Sequence, residues 1–271
     1  MSADQPIPSK RFGQHFLRDK RIIQRIIDAL TPERDETVIE IGPGAGALTS
    51  QLVQRAGRVI AVEFDNKLTP VLNEQFGNLP NFKLVMADAL ATDFCAEIAP
   101  AHEARLVANL PYNISTAILQ RLIEQRACLR EMIVMLQREV VERMMAPAGS
   151  SERGFLSVLV EAYCETEKLF DVGPGAFRPP PKVWSSVVRM RFRAENTALS
   201  EELFWPTVSA GFAQKRKTIL NNLRHASGHL AEVLKRNGGA SIVLCRAEVE
   251  LQRRAETFTI DEWSRIVRAM E

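Results

Sequence analysis

From about residue 36 onward, short β-branched and apolar runs alternate with stretches whose apolar residues recur every three or four positions. Residues 37–41, 59–62, 83–86, 106–108 and 133–136 read as strands. Between them, Leu48, Leu52 and Val53, and later Ile118, Leu119, Leu122 and Ile123, have helical spacing. Such alternation calls for right-handed crossovers and a mainly parallel sheet covered on both faces. Residues 168–172 and 185–192 also read as strands. In the second, Val187, Arg189 and Arg191 alternate with Val188, Met190 and Phe192, the pattern of a half-exposed strand. The two are expected to add an antiparallel hairpin at the sheet edge. After the polar stretch Ala194-Glu195-Asn196-Thr197 the pattern is helical to the end, with Thr259 capping a last helix that carries Trp263, Ile266 and Val267. The expected organisation is an α/β domain over 1–195, with a flexible basic segment over 1–20, and a small all-helical domain over 196–271.

The chain has 271 residues, 46% hydrophobic and 25% charged, enough for one large domain and one small one. No run of about 18 apolar residues offers a membrane span. The polar, basic start lacks an apolar signal core, so a cytoplasmic protein is expected. Cys95, Cys128, Cys164 and Cys245 are scattered and suit neither a disulfide framework nor a zinc site, and they read as free thiols. His225 and His229 are four apart, as on one helix, but have no acid or cysteine set beside them, so no metal is expected.

The net charge of +2 hides an uneven distribution. Lys10, Arg11, Arg18, Lys20, Arg21 and Arg25 crowd the start. Arg178, Lys182, Arg189, Arg191 and Arg193 fall in an acid-free stretch, and so do Lys215, Arg216, Lys217 and Arg224. A single run of charge is usually a solvated face, but three in one chain point to a polyanionic partner.

Two motifs carry candidate chemistry. Glu40-Ile41-Gly42-Pro43-Gly44-Ala45-Gly46 lies where the first strand meets the first helix. Its glycines permit a tight turn and close approach of backbone to a ligand at a helix N-terminus. Glu63 ends the second strand, where a carboxylate can accept from both ribose hydroxyls. Asp88 follows the third and can accept from an adenine amine. NAD and S-adenosylmethionine share these features. The fourth strand separates them, because it ends in Asn109-Leu110-Pro111-Tyr112. An amide, a rigid turn and an aromatic face in succession grip a flat heterocycle bearing an exocyclic amine, as a base-modifying methyltransferase requires.

With these residues in place, the chain resembles the small-subunit ribosomal RNA adenine dimethyltransferases (the KsgA family). The likeness rests on Arg11-Phe12-Gly13-Gln14-His15-Phe16-Leu17, the glycine turn, the block 109–116, Phe177-Arg178-Pro179-Pro180-Pro181-Lys182-Val183 and Phe212-Ala213-Gln214-Lys215-Arg216-Lys217-Thr218. It implies a Rossmann-like methyltransferase fold with a mostly parallel seven-stranded sheet and a helical C-terminal domain that binds RNA and the ribosome. It implies transfer of four methyl groups from S-adenosyl-L-methionine to two adjacent adenosines near the 3′ end of small-subunit ribosomal RNA, in a precursor particle, by a monomer. Carried over residue by residue, it implies cofactor contacts from His15, Leu17, Gly42, Gly44, Glu63, Asp88 and Asn109. Position 15 is often asparagine in this family, and histidine still offers a donor and an acceptor.

For the chemistry, Asn109 and the Leu110 carbonyl are expected to accept from the target amine. Pro111 fixes the turn, Tyr112 stacks on the base, and Phe177 supplies the opposite ring face. Arg178, Lys182, Lys215, Arg216, Lys217 and Arg224 are the expected RNA contacts. The rivals are erythromycin-resistance methyltransferases of the large subunit, DNA adenine methyltransferases (which typically carry Asp-Pro-Pro-Tyr at the fourth strand), a binding-only ribosome-assembly factor and a nicotinamide dehydrogenase.

Overall fold

The computed structural model describes residues 14–193 and 200–271. Lys10, Arg11 and the linker at 194–197 lie outside the described residues. The chain forms two compact units. The first runs up to Val141 and takes in Glu165–Phe192; the second comprises Glu142–Cys164 and Arg193–Glu271. A single boundary near residue 196 is therefore corrected. The chain passes between units three times, and 142–164 groups with the C-terminal helices although it precedes two strands of the sheet.

In the first unit, β1 (Phe16–Leu17) and α1 (Lys20–Leu30) precede β2 (Thr37–Ile41), α2 (Thr49–Arg55), β3 (Arg58–Glu63), α3 (Thr69–Phe76) and β4 (Phe82–Met86). Next come α4 (Phe94–Glu97), β5 (Ala104–Asn109), α5 (Ser115–Glu124) and β6 (Leu129–Gln137). α6 (Arg138–Met144) and α7 (Phe155–Tyr163) then lead to β7 (Cys164–Val172), β8 (Phe177–Arg178) and β9 (Ser185–Phe192). Seven strands lie in the order β4-β3-β2-β5-β6-β9-β7. β2 to β6 are mutually parallel, and β9 runs antiparallel to β6. All five residues of β2 are buried, as in a central strand covered on both faces. The strand order reverses between β2 and β5. At such a point loops diverge above the carboxyl ends of the strands and leave a crevice.

Three expectations change. β9 is not half-exposed: it sits between β6 and β7, and Val187 and Val188, on opposite faces, are both buried. Arg189 and Arg191 do not belong to a free basic surface. Glu131 stands opposite Arg105 on one side and Arg191 on the other. Its carboxylate lies 3.6 Å from Arg105, 3.8 Å from Arg189 and 3.2 Å from Arg191. Cys95 and Cys128 form a disulfide, because the fold brings the start of α4 against the turn after α5 despite 33 residues of sequence separation. Cys164 and Cys245 are outside any disulfide.

The second unit contains α7 and, after the linker, α8 (Glu201–Gly211), α9 (Ile219–Arg224), α10 (Gly228–Arg236), α11 (Ala240–Arg246) and α12 (Ile260–Arg268). Thr259 caps α12 in a reciprocal capping box with Glu262, and Trp263, Ile266 and Val267 are fully buried. Arg153 is buried here too, donating to the Ala146 and Phe258 carbonyls. His225 follows the last residue of α9 and His229 lies in α10, so they do not share a helix, and His229 meets Glu202 at 3.3 Å. Among the described residues, no helix is long and apolar enough to cross a membrane.

Glu131→Ala leaves the guanidiniums of Arg105 and Arg189 half-compensated in a poorly hydrated site. It is expected to lower unfolding free energy by about 3 kcal/mol, read from the urea midpoint. A loss well under 1 kcal/mol contradicts a structural role for Glu131.

Candidate functional site

Strand register assembles the site. Ile41 pairs with Val62 on β3 and with Ala108 on β5. The next residues, Gly42, Glu63 and Asn109, therefore emerge side by side at the carboxyl edge. All three line a cavity of about 290 Å3, together with Asp88 and the run Leu110-Pro111-Tyr112.

The glycine turn is shaped by its surroundings. Gly44 has φ +57, and a Cβ there would lie 3.0 Å from the Phe16 ring. Gly46 has φ +81, and its Cβ would fall 2.5 Å from Phe76. Side chains at both positions are thus excluded by backbone conformation and by space. Beneath the turn, Glu40 is buried and its carboxylate accepts from the Thr49 hydroxyl at 2.6 Å. Burial pushes the Glu40 carboxyl up to about 7; the Thr49 hydrogen bond opposes this and the nearby Glu63 charge adds to it. Burial also raises Glu63, against the pull of backbone N–H groups from Asp65, Gly44 and Phe64. Oε1 of Glu63 accepts from Phe64 and Asp65, both at 2.9 Å, while among the described residues Oε2 has only the 3.3 Å contact from Gly44. Oε2 is the atom with accepting capacity left. Asp88 is similarly half used: Oδ1 accepts from Leu90 N–H at 2.9 Å.

The N-terminal segment closes over the cavity. Gln14, His15 and Phe16 all line it, and Gln14 donates to Asp65 at 3.2 Å. β1 pairs antiparallel with β8, Phe16 opposite Arg178 and Leu17 opposite Phe177. Neighbouring side chains on a strand point to opposite faces. Phe16 therefore faces the glycine turn. Leu17 and Phe177 lie in the apolar core with Ile26 and Val187, each 5% exposed. The Leu17 and Phe177 side chains are thus packed in the core and do not line the cavity. One alternation accounts for both.

The block at the end of β5 is anchored at several polar atoms. The Asn109 side chain donates from Nδ2 to the His15 carbonyl at 3.1 Å, which fixes the amide rotation and leaves Oδ1 as its acceptor. Leu110 is buried, and its N–H donates to Met135 at 3.2 Å. Pro111 turns the chain, with Ile114 N–H returning to its carbonyl at 3.3 Å. The Tyr112 hydroxyl meets Ser185 Oγ at 2.8 Å, and burial raises its pKa. The His15 ring stacks on Tyr112 with centroids 5.5 Å apart, while Nδ1 contacts the Pro179 carbonyl at 2.8 Å.

The expected RNA contacts are exposed. Arg178 and Lys182 flank Pro179-Pro180-Pro181, and Lys215, Arg216, Lys217 and Arg224 lie in and after the turn between α8 and α9. None has an ion-pair partner among the described residues.

Phe64, Phe16 and Ser185 were not singled out from sequence. Phe64 lines the cavity with 56% of its surface exposed, an unusual cost for a phenyl ring, directly beside the Glu63 carboxylate. Its position directly after Glu63 was the available signal.

Glu40 also sets a pH dependence. Its carboxyl titrates higher in the folded protein than in the unfolded chain, so folding favours the protonated form. That contribution is complete below the ordinary glutamate value and is lost as pH rises to about 7. Glu40→Gln keeps size and an acceptor for Thr49 but carries no charge. At pH 8 it should exceed the wild type, by up to about 3 kcal/mol, and the gap should narrow toward pH 5. Urea melts from pH 5 to 9 test this; a variant that tracks the wild type throughout refutes it.

The family described as ribosomal RNA adenine dimethylase matches residues 8–265. A ribosomal RNA small subunit methyltransferase A from Hahella chejuensis is 45% identical over 217 residues, covering 79% of this chain and 80% of that protein. A dimethyladenosine transferase from Plasmodium falciparum superposes with a TM-score of 0.77 at 25% identity, covering 93% of this chain and 96% of the other. The 23S rRNA methyltransferase ErmE gives a TM-score of 0.64 at 27% identity, covering 94% and 99%. The family match takes in the strap that carries His15, every strand of the sheet and most of the helix capped by Thr259, and this chain belongs to the ribosomal RNA adenine dimethylase family.

Proposed function

We infer that the protein dimethylates the 6-amino groups of two adjacent adenosines near the 3′ end of small-subunit ribosomal RNA, acting in the cytoplasm as a monomer on a precursor particle. The observation that carries this reading is the Asn109 amide, whose donor end is engaged and whose acceptor end remains for an amine. The donor and acceptor set fits S-adenosyl-L-methionine. Glu63 Oε2 suits a ribose diol, the uncommitted oxygen of Asp88 an adenine amine, and Phe64 the adenine face. The cofactor supplies a methyl group activated on a sulfonium.

The residues of the chain do the positioning. The lone pair of an adenine 6-amino group is delocalised into the ring and must be turned toward the methyl. Acceptance by Asn109 Oδ1 and the Leu110 carbonyl draws the nitrogen toward a tetrahedral shape and aims that lone pair. The amine becomes acidic on methylation, so no strong base is required, and orientation and fixed dipoles carry the rate. Tyr112, held by Ser185, offers a ring face to the extruded base, and the cations at 215–217 and 224 engage phosphates.

Asn109→Ala is expected to lower single-turnover methyl transfer at least about 100-fold with cofactor affinity retained, measured by labelled-methyl transfer and calorimetric titration. Near-normal turnover removes Asn109 from the mechanism. Labelled cofactor incubated with unmethylated small subunits, large subunits and DNA should yield dimethyladenosine in the small subunit alone. Label in the large subunit moves the protein to the ErmE-like group. Intact binding without label favours an assembly factor. Changing Lys215, Arg216, Lys217 and Arg224 to alanine should flatten the log-affinity against log-salt slope by about 3; an unchanged slope refutes their phosphate contacts.

A further inference from the structure

Trp184 is 49% exposed and Val183 37%, on the loop that follows Arg178 and carries Lys182. We propose that Trp184, with Val183 beside it, is a stacking platform for an unpaired base of the substrate RNA that neighbours the target adenosine. This rests on the reading of the protein as an RNA adenine methyltransferase and extends it to how the flanking nucleotide is held.

The platform is fixed at several points. The Pro179 carbonyl is held by His15 Nδ1, the Trp184 carbonyl accepts from Arg138 N–H at 2.9 Å, and Ser185 Oγ grips the Tyr112 hydroxyl at 2.8 Å. Three consecutive prolines stiffen the stretch between. The indole leans on Gly173, with ring atoms 3.5–3.8 Å from where a Cβ would stand, so a side chain at 173 would crowd it. A large apolar ring is thus kept in water on a rigid backbone. Its Cα lies about 3.8 Å from that of the residue that clamps Tyr112.

The chemistry of the step supplies the occupant. Withdrawing an adenosine from its stack exposes a face of the adjacent base, and a second aromatic surface recovers that stacking without reading sequence. Arg178 and Lys182 are exposed and have no ion-pair partner among the described residues, which suits the phosphates flanking such a base. An exposed ring on the same stretch of chain as these two exposed cations matches a nucleotide in both its parts.

The test compares wild type, Trp184→Ala and Trp184→Phe in equilibrium binding to unmethylated small subunits and in steady-state methyl transfer, with cofactor affinity measured alongside. Trp184→Ala should weaken subunit binding and raise KM about tenfold, with kcat changing less than KM. Trp184→Phe should restore most of the loss, and cofactor affinity should hold in both. Unchanged binding and KM in Trp184→Ala overturn the platform. In a second arm, Val183→p-benzoylphenylalanine is photolysed on the small subunit. A crosslink to RNA supports the platform; a crosslink to a ribosomal protein or to a second copy of this chain overturns it. If the wild type binds subunits but transfers no methyl, the functional reading fails, whereas the platform still stands or falls on the binding loss in Trp184→Ala.

Discussion

The parallel register of β2 against β3 and β5 is the constraint on which the site depends. Ile41 sits level with both Val62 and Ala108, so the sheet delivers Gly42, Glu63 and Asn109 to one edge in one row. A slip of one residue would turn each following side chain to the opposite face. Burial on both faces of β2 makes such a slip costly, since a strand with five buried residues has no polar side to rotate toward solvent. The cavity thus inherits its precision from the core.

The second dependence is the short pairing of β1 with β8. It joins two stretches of chain otherwise remote in sequence and divides their side chains between core and cavity. Phe16 presses on the glycine turn while Leu17 and Phe177 fill the core below. The preceding residue, His15, then touches Asn109 through its carbonyl, Tyr112 through its ring and Pro179 through Nδ1. One residue links the strap, the Asn109 amide and the loop carrying the exposed indole.

Much of this was legible in the chain. The five parallel strands, the glycine turn and the Asn109–Tyr112 block are local signals, because strand periodicity and turn chemistry are written in neighbouring residues. Glu63 and Asp88 followed from their places at strand ends. The errors share a physical origin in long-range placement. The motif around Phe177 identifies the stretch but not the face, which depends on pairing with a segment more than 150 residues earlier in the chain. Arg189 and Arg191 read as free cations because Glu131 lies on another strand. Cys95 and Cys128 read as separate because the contact that joins them is made only in the folded chain. The passage of 142–164 into the second unit left no mark in composition.

The buried acid beneath the glycine turn shows how the site trades stability for shape. Glu40 accepts from Thr49, the first residue of α2, and so ties the end of β2 to the start of the helix across the turn. An apolar residue could fill the same volume but could not hold the helix start by a hydrogen bond. The Glu63 charge adds to the rise at Glu40, while burial and the nearby Asp65 charge raise the proton affinity of Glu63 itself. Three backbone N–H groups converge on Glu63 and oppose that rise. The carboxylate that faces the cavity is thereby kept as an acceptor by its hydrogen bonds, and the one below the turn is held by Thr49, through its hydroxyl and its backbone N–H. Two glutamates one strand apart differ in role because the number of donors around each differs.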